Sequence, residues 1–106
     1  RLDFTAVFAA NDAMALGMIH GFRDLGIDVP RQVSVVGFDD IPLAAHAWPP
    51  LTTVHQQFAG LGERAMAALL RAIGEPEVPT DAASGMNLEP SLVVRESCAV
   101  AVTAKR

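Results

Sequence analysis

Apolar residues run along this chain in two rhythms, and the two alternate. Residues 4–10 (FTAVFAA) form a continuous apolar run, the pattern of a parallel strand covered on both faces. Asn11 and Asp12 follow, and either makes a good helix N-cap. Across 13–25 the apolar positions fall at 15, 18, 19, 22 and 25, the spacing of a helix with one buried stripe. Gly26 stands where a left-handed C-cap is wanted. A loop over 27–32 leads into 33–38 (VSVVGF), a second buried strand rich in β-branched residues, which ends on Asp39 and Asp40. Residues 41–50 are irregular or a short helix, closed by Pro49 and Pro50, and 51–55 predict a third strand. A helix is expected over 58–73, with apolar or small residues at 58, 61, 62, 65, 69, 72 and 73 and Glu63, Arg64 and Arg71 on the other side. Gly74 and Pro76 stop it. A polar connection covers 75–85, short strands are expected at 86–89 and 92–95 around Pro90, and 99–106 read as a frayed tail. Runs that alternate in this way are the signature of an α/β protein.

Composition narrows the function classes. With 106 residues, 51% hydrophobic and 19% charged, the chain reads as one globular domain and not as a disordered segment. The net charge of −4 excludes a broad basic face for a phosphate backbone. Apolar runs stop far short of the ~20 residues that a membrane-spanning helix needs. The single cysteine, Cys98, cannot staple the domain and points mildly to a reducing compartment. His20, His46, His55 and Cys98 lack metal-ligand spacing, so no metal is expected. No G-x-S-x-G elbow or phosphate-cradling loop occurs, and no catalytic residue or cofactor is assigned. Asp39 and Asp40 do not form an acid/base dyad, because neighbours at a strand end point apart. Residues 60–65 (GLGERA) match the dinucleotide pattern G-x-G-x-x-A. The strand and acid that should follow are replaced by Pro76, Pro79 and polar residues. The glycines are therefore read as small residues that allow close helix packing.

Two polar positions stand out by location. Asn11 directly follows the first strand and Asp39 the second. A strand–helix–strand unit with a short return is parallel, so both residues reach the carboxyl edge of the sheet, where open α/β sheets bind ligands. An amide that gives and receives hydrogen bonds, beside a carboxylate that only receives them, suits a neutral polyhydroxy ligand. Helix capping by Asn11 explains its position equally well, and Asp12 and Asp40 lean towards capping. Around the third strand, Gln56 can bond a hydroxyl and Phe58 can stack on a sugar face, although strand-end and core roles are commoner for such residues. Trp48, beside the two prolines, is either an exposed anchor or local core.

Four segments together carry more than their spacing. Residues 4–17 resemble the "AND-x-MA-x-G" segment of the lactose/galactose-repressor (LacI/GalR) family. Val29-Pro30 and 34–40 resemble its "VP…SVVGFDD", 49–56 its "PPLTTV-x-Q", and 88–97 its closing "LP-x-LVVRES". The resemblance covers roughly 4–98, in order and at family-like spacing. It implies a three-layer α/β/α, periplasmic-binding-protein-like (type I) parallel sheet, incomplete in this chain. It also implies a cytoplasmic transcription regulator, usually a repressor, that binds a small effector, commonly a sugar, between two lobes. Lobe movement then alters DNA reading by a homodimer or higher oligomer. By resemblance, the effector contacts are Asn11, Asp39, Gln56 and Phe58. The dimer face is Met14, Leu16, His20, Leu43, His46, Ala47 and Trp48. The domain plan it implies is second lobe at 1–50, crossover at 51–57, first-lobe portion at 58–90, return strand at 91–98 and flexible tail at 99–106. A full family member is about three times as long, so the chain is expected to be a C-terminal part without the DNA-binding helix-turn-helix, reaching DNA only through that missing domain. Alone, it is expected to bind effector weakly and to oligomerise or exchange strands through the 58–73 helix. The alternatives are a transporter's periplasmic sugar-binding protein and, on Gly60 and Gly62, a nucleotide-dependent enzyme.

Overall fold

The computed structural model describes residues 2–74 and 88–102. Among these, residues up to His55 and from Ser91 onward form one compact unit, and those from Gln56 to Pro90 form another. The first unit contains strand β1 (Ala6–Phe8), helix α1 (Asp12–Asp24), strand β2 (Ser34–Val36), a 3-10 turn (Pro42–His46), strand β3 (Thr53–His55) and strand β4 (Ser91–Val93). β1 and β2 pair in parallel, with Val7 opposite Val35, and α1 is the crossover between them. β3 and β4 pair antiparallel, with Val54 opposite Leu92. The two pairs meet along β2 and β3. There Gly37 N–H donates to Thr52 O and Asp39 N–H to Val54 O, each at 2.9 Å, within parallel bridges.

α1 ends as its sequence dictates. Asn11 caps its start, and Gly26, at φ +70°, sits just beyond its end in the left-handed region that only glycine enters freely. The inward side of α1 packs Ala15 and Ile19 against Ala9, Val35, Ala44 and Leu51, with Leu16, Phe22, Val29 and Ile41 around them. This is one contiguous core on one face of the β1–β2 pair.

Several expectations need correction. The run 4–10 is not a strand buried on both faces: only Ala6–Phe8 is extended, and Phe4, Ala6 and Phe8 are exposed. Among the described residues β1 has one neighbouring strand, so only its inward positions, Val7 and then Ala9, gain cover. Phe8 instead leans edge-on against Phe38, with ring centroids 6.5 Å apart. The tail is held further than expected: Ser34 Oγ accepts from Ala99 N–H at 3.0 Å and donates to Ala99 O at 3.2 Å. Leu88 and Glu89 have no strand structure, while 75–87 and 103–106 lie outside the described residues.

The second unit is built on helix α2 (Phe58–Ala72). Gly60 and Gly62 both lie inside its opening turns, not in a strand-to-helix turn, so the dinucleotide reading lacks its backbone geometry. A β-carbon on Gly62 would meet nothing within 4 Å, so close packing is not the reason for that glycine among the described residues. Gly60 and Ala67 are buried, whereas Leu61, Met66 and Leu69 are exposed.

Candidate functional site

The turn from β1 into α1 and the turn after β2 lie at the same edge of the parallel pair. Asp12 N–H donates to Phe38 O at 2.9 Å, so Asn11 and Asp39 each stand one residue from a shared backbone bond. Asn11 is extended, and its Oδ1 accepts from Met14 N–H at 2.8 Å, so the capping role is real. Its Nδ2 donates to nothing among the described residues. The cap thus occupies the acceptor half of the amide and leaves the donor half for other use.

Asp12 is not an N-cap. Its side chain is fully buried, with Oδ2 accepting from Ile41 N–H at 2.8 Å and Oδ1 from the Thr53 hydroxyl. One carboxylate therefore ties α1, the loop after β2 and β3 together. Gly37 makes room for it: a β-carbon there would fall on Asp12 Oδ1 and within 2.9 Å of Leu51 Cδ2.

Asp39 and Asp40 both take positive φ, at 112° and 57°. The left-handed region suits Asp40, since Asp tolerates it as a single residue. Asp39 is further out, and such a conformation costs about 1–3 kcal/mol and persists only where its surroundings enforce it. The expectation that Asp40 leans to capping is overturned. The 3-10 turn Pro42–His46 has Ile41 at its cap position with no side-chain bond. Asp40 instead places Oδ1 2.8 Å from an Arg95 guanidinium nitrogen and Oδ2 3.0 Å from His55 Nδ1. Arg95 also donates to Leu51 O at 2.9 Å.

Partial burial pushes the Asp40 carboxyl up, but hydrogen bonds and charge from Arg95 and His55 outweigh it and hold the pKa below the ordinary carboxylate value. A pKa below the unfolded value of about 3.9 means that the ionised group stabilises the fold above that pH and that this stabilisation is lost as pH falls through the lower folded value. Urea unfolding followed from about pH 5 down to about pH 3 should therefore show a steeper loss of stability for the native protein than for Asp40→Asn. Equal slopes would mean that the pair contributes nothing.

Gln56 and Phe58 belong to the second unit, where Gln56 O accepts from Phe58 N–H at 3.0 Å and Phe58 opens α2 with its ring exposed. On the first unit, Leu16, His20, Leu43, Ala47 and Trp48 line a shallow depression of about 220 Å³ with Ile19 and Arg23. Trp48 is 79% exposed, so of its two readings the local-core one fails. Arg23 holds the loop beneath it by donating to Trp48 O at 2.7 Å. Met14 and His46 are exposed as well. Among the described residues no group of three His, Cys, Asp or Glu could hold a metal, and no helix is long and apolar enough to cross a membrane.

Arg95 is not among the site residues that the sequence points to: there it closes an expected strand inside the segment resembling "LVVRES", and nothing links it to Asp40.

The periplasmic binding protein-like domain family matches residues 2–98. The HTH-type transcriptional regulator MalR of Streptomyces coelicolor is 50% identical over 99 residues, covering 93% of this chain and 28% of that protein. Among solved structures, a LacI family transcriptional regulator from Lactobacillus casei with bound sucrose is 35% identical at a TM-score of 0.76, over 89% of this chain and 33% of its own. The lac repressor dimer bound to operator and the anti-inducer ONPF is 34% identical at 0.70, over 89% and 32%. The chain thus spans about a third or less of the length of these relatives.

Proposed function

Because the chain belongs to the periplasmic binding protein-like domain family, and its relatives are LacI-type regulators, we propose that it is the effector-sensing part of a transcription regulator of that type. The effector is a neutral polyhydroxy molecule of the sugar class. The observation that carries this reading is the shared edge: Asn11 with a donor to spare, and Asp39 on a backbone turned to positive φ, flank the Asp12–Phe38 bond. Donor and acceptor side by side match the two faces of a sugar hydroxyl. Gln56 and Phe58 are proposed as further contacts from the family resemblance alone: an amide can bond a hydroxyl, and an aromatic ring suits the apolar face of a pyranose. The bound sucrose of the Lactobacillus casei relative supports the ligand class.

In this reading 1–50 belong to one lobe, 51–57 to a crossover, 58–90 to the other lobe and 91–98 to the return. The exposed face around Met14, Leu16, His20, Leu43, His46, Ala47 and Trp48 joins two copies, as the dimeric state of the lac repressor relative supports. DNA is read by a domain outside this segment, in the cytoplasm. The named relatives regulate transcription, which favours this reading over a transporter's sugar-binding protein and over an enzyme.

The test is Asp39→Asn in the full-length regulator. Hydrogen bonds to a charged group contribute about 1.5–3 kcal/mol, so affinity for the cognate sugar should fall about 10- to 150-fold. Asn has the shape of Asp and, like it, tolerates a positive φ, so the melting temperature without sugar should stay put. Sugar titration by calorimetry, beside a thermal melt, separates the two. Unchanged affinity would make Asp39 a structural residue.

A further inference from the structure

The loop after β2 holds two consecutive non-glycine residues at positive φ, and such a conformation persists only where neighbours enforce it. The first residue, Asp39, is fixed by its N–H on Val54 O. The second is fixed through its side chain, and both carboxylate oxygens of Asp40 are engaged. Arg95 is itself anchored on the start of β3: one guanidinium nitrogen donates to Leu51 O at 2.9 Å, and its backbone N–H donates to Thr52 Oγ1 at 2.9 Å. Leu51 and Thr52 are buried, so these anchors do not move with solvent. The Arg95 and Asp40 side chains are only 19% and 16% exposed, and a pair so shielded escapes most of the screening that empties surface ion pairs. The guanidinium serves the Leu51 carbonyl and the Asp40 carboxylate through two different nitrogens held in one plane, where lysine would offer a single nitrogen.

The positions of the two clamping residues add meaning. His55 is the last residue before the chain leaves the first unit, and Arg95 lies just past β4, on which it returns. Asp40 is therefore bonded to both passages of the chain. We propose that Arg95 is a positioning residue for the effector site: acting through Asp40, it holds the loop in the backbone conformation that presents Asp39, and with His55 it ties that loop to the two points where the chain passes between units. This deepens the effector-site reading and rests on Asp39 meeting the ligand.

The experiment uses the full-length protein as wild type, Arg95→Met, Arg95→Lys and Asp40→Asn. Hydrogen exchange by mass spectrometry is read on a peptide spanning 38–41 and on a control peptide within α1, and sucrose is titrated by calorimetry as the probe. Arg95→Met and Asp40→Asn should each speed exchange of the loop peptide about tenfold while α1 stays within about twofold. Arg95→Lys, which keeps the charge and one contact, should fall between. Sucrose affinity should drop about tenfold or more in the first two variants and partly recover in Arg95→Lys. Loop exchange that is unchanged, or that rises equally in α1, overturns the positioning role and leaves an ordinary structural ion pair. A wild type that does not take up sucrose counts against the sugar reading with that probe, while the exchange comparison still decides the role of Arg95.

Discussion

Asp12→Ala should cost about 2–5 kcal/mol in urea unfolding, the size expected when one buried acceptor is taken away from two donors. The side chain is fully buried and accepts from Ile41 N–H and the Thr53 hydroxyl. Alanine would leave the buried Thr53 hydroxyl and the half-buried Ile41 N–H without their acceptor, at up to about 1–3 kcal/mol each. It would also free the loop after β2 from the start of α1, because Ile41 follows the Asp39-Asp40 pair. A carboxylate in the first turn of α1 further gains from the positive end of the helix dipole. Asp12→Asn keeps the shape and one acceptor, and the Thr53 hydroxyl can turn to accept from its amide, so its loss should be clearly smaller. A loss below about 1 kcal/mol for Asp12→Ala would show that these bonds are not what joins the three segments.

Gly37→Ala is the second large effect, and its cause is space. No positive φ requires glycine here. The added carbon would fall on Asp12 Oδ1 and press on Leu51 Cδ2 at 2.9 Å. Neither neighbour can yield cheaply, since Asp12 is held by two hydrogen bonds and Leu51 lies at the bottom of the core. Overpacking of this kind costs about 1–3 kcal/mol, and the upper end or beyond is expected because relief requires breaking an Asp12 bond. The two changes should not add. With Asp12→Ala in place the obstruction is gone, so Gly37→Ala should then cost far less. The double-mutant cycle should show a coupling of about 1 kcal/mol or more. Losses that add to within about 0.5 kcal/mol would mean that the clash is not the cause.

Both effects concern residues that sit beside the candidate site without touching the proposed ligand. Their role is to give Asn11 and Asp39 a rigid floor. The positive φ of Asp39 is possible because Asp12, Gly37, Arg95 and His55 leave the loop little freedom. Arg95 and Asp12 are therefore expected to separate experimentally: loss of Asp12 removes stability first, while loss of Arg95 loosens the loop around Asp39 first.

The sequence by itself determined what depends on a few consecutive residues. A polar residue after an apolar run, a 3.6-residue stripe and a glycine at its end specify α1 with its two caps, because each of those bonds closes within one helical turn. The same logic put Asn11 and Asp39 at one edge, since a short parallel β–α–β unit has no other way to connect its strands. Tertiary structure alone decided the rest. Asp12 meets Thr53 across 41 positions and Asp40 meets Arg95 across 55, separations at which no periodicity survives. The exposure of Phe8 and Trp48 likewise depends on which neighbours arrive, not on the residues' own character. Local hydrogen bonds are written in order along the chain, whereas the partner of a buried charge is settled only when distant backbone segments close on it and exclude water.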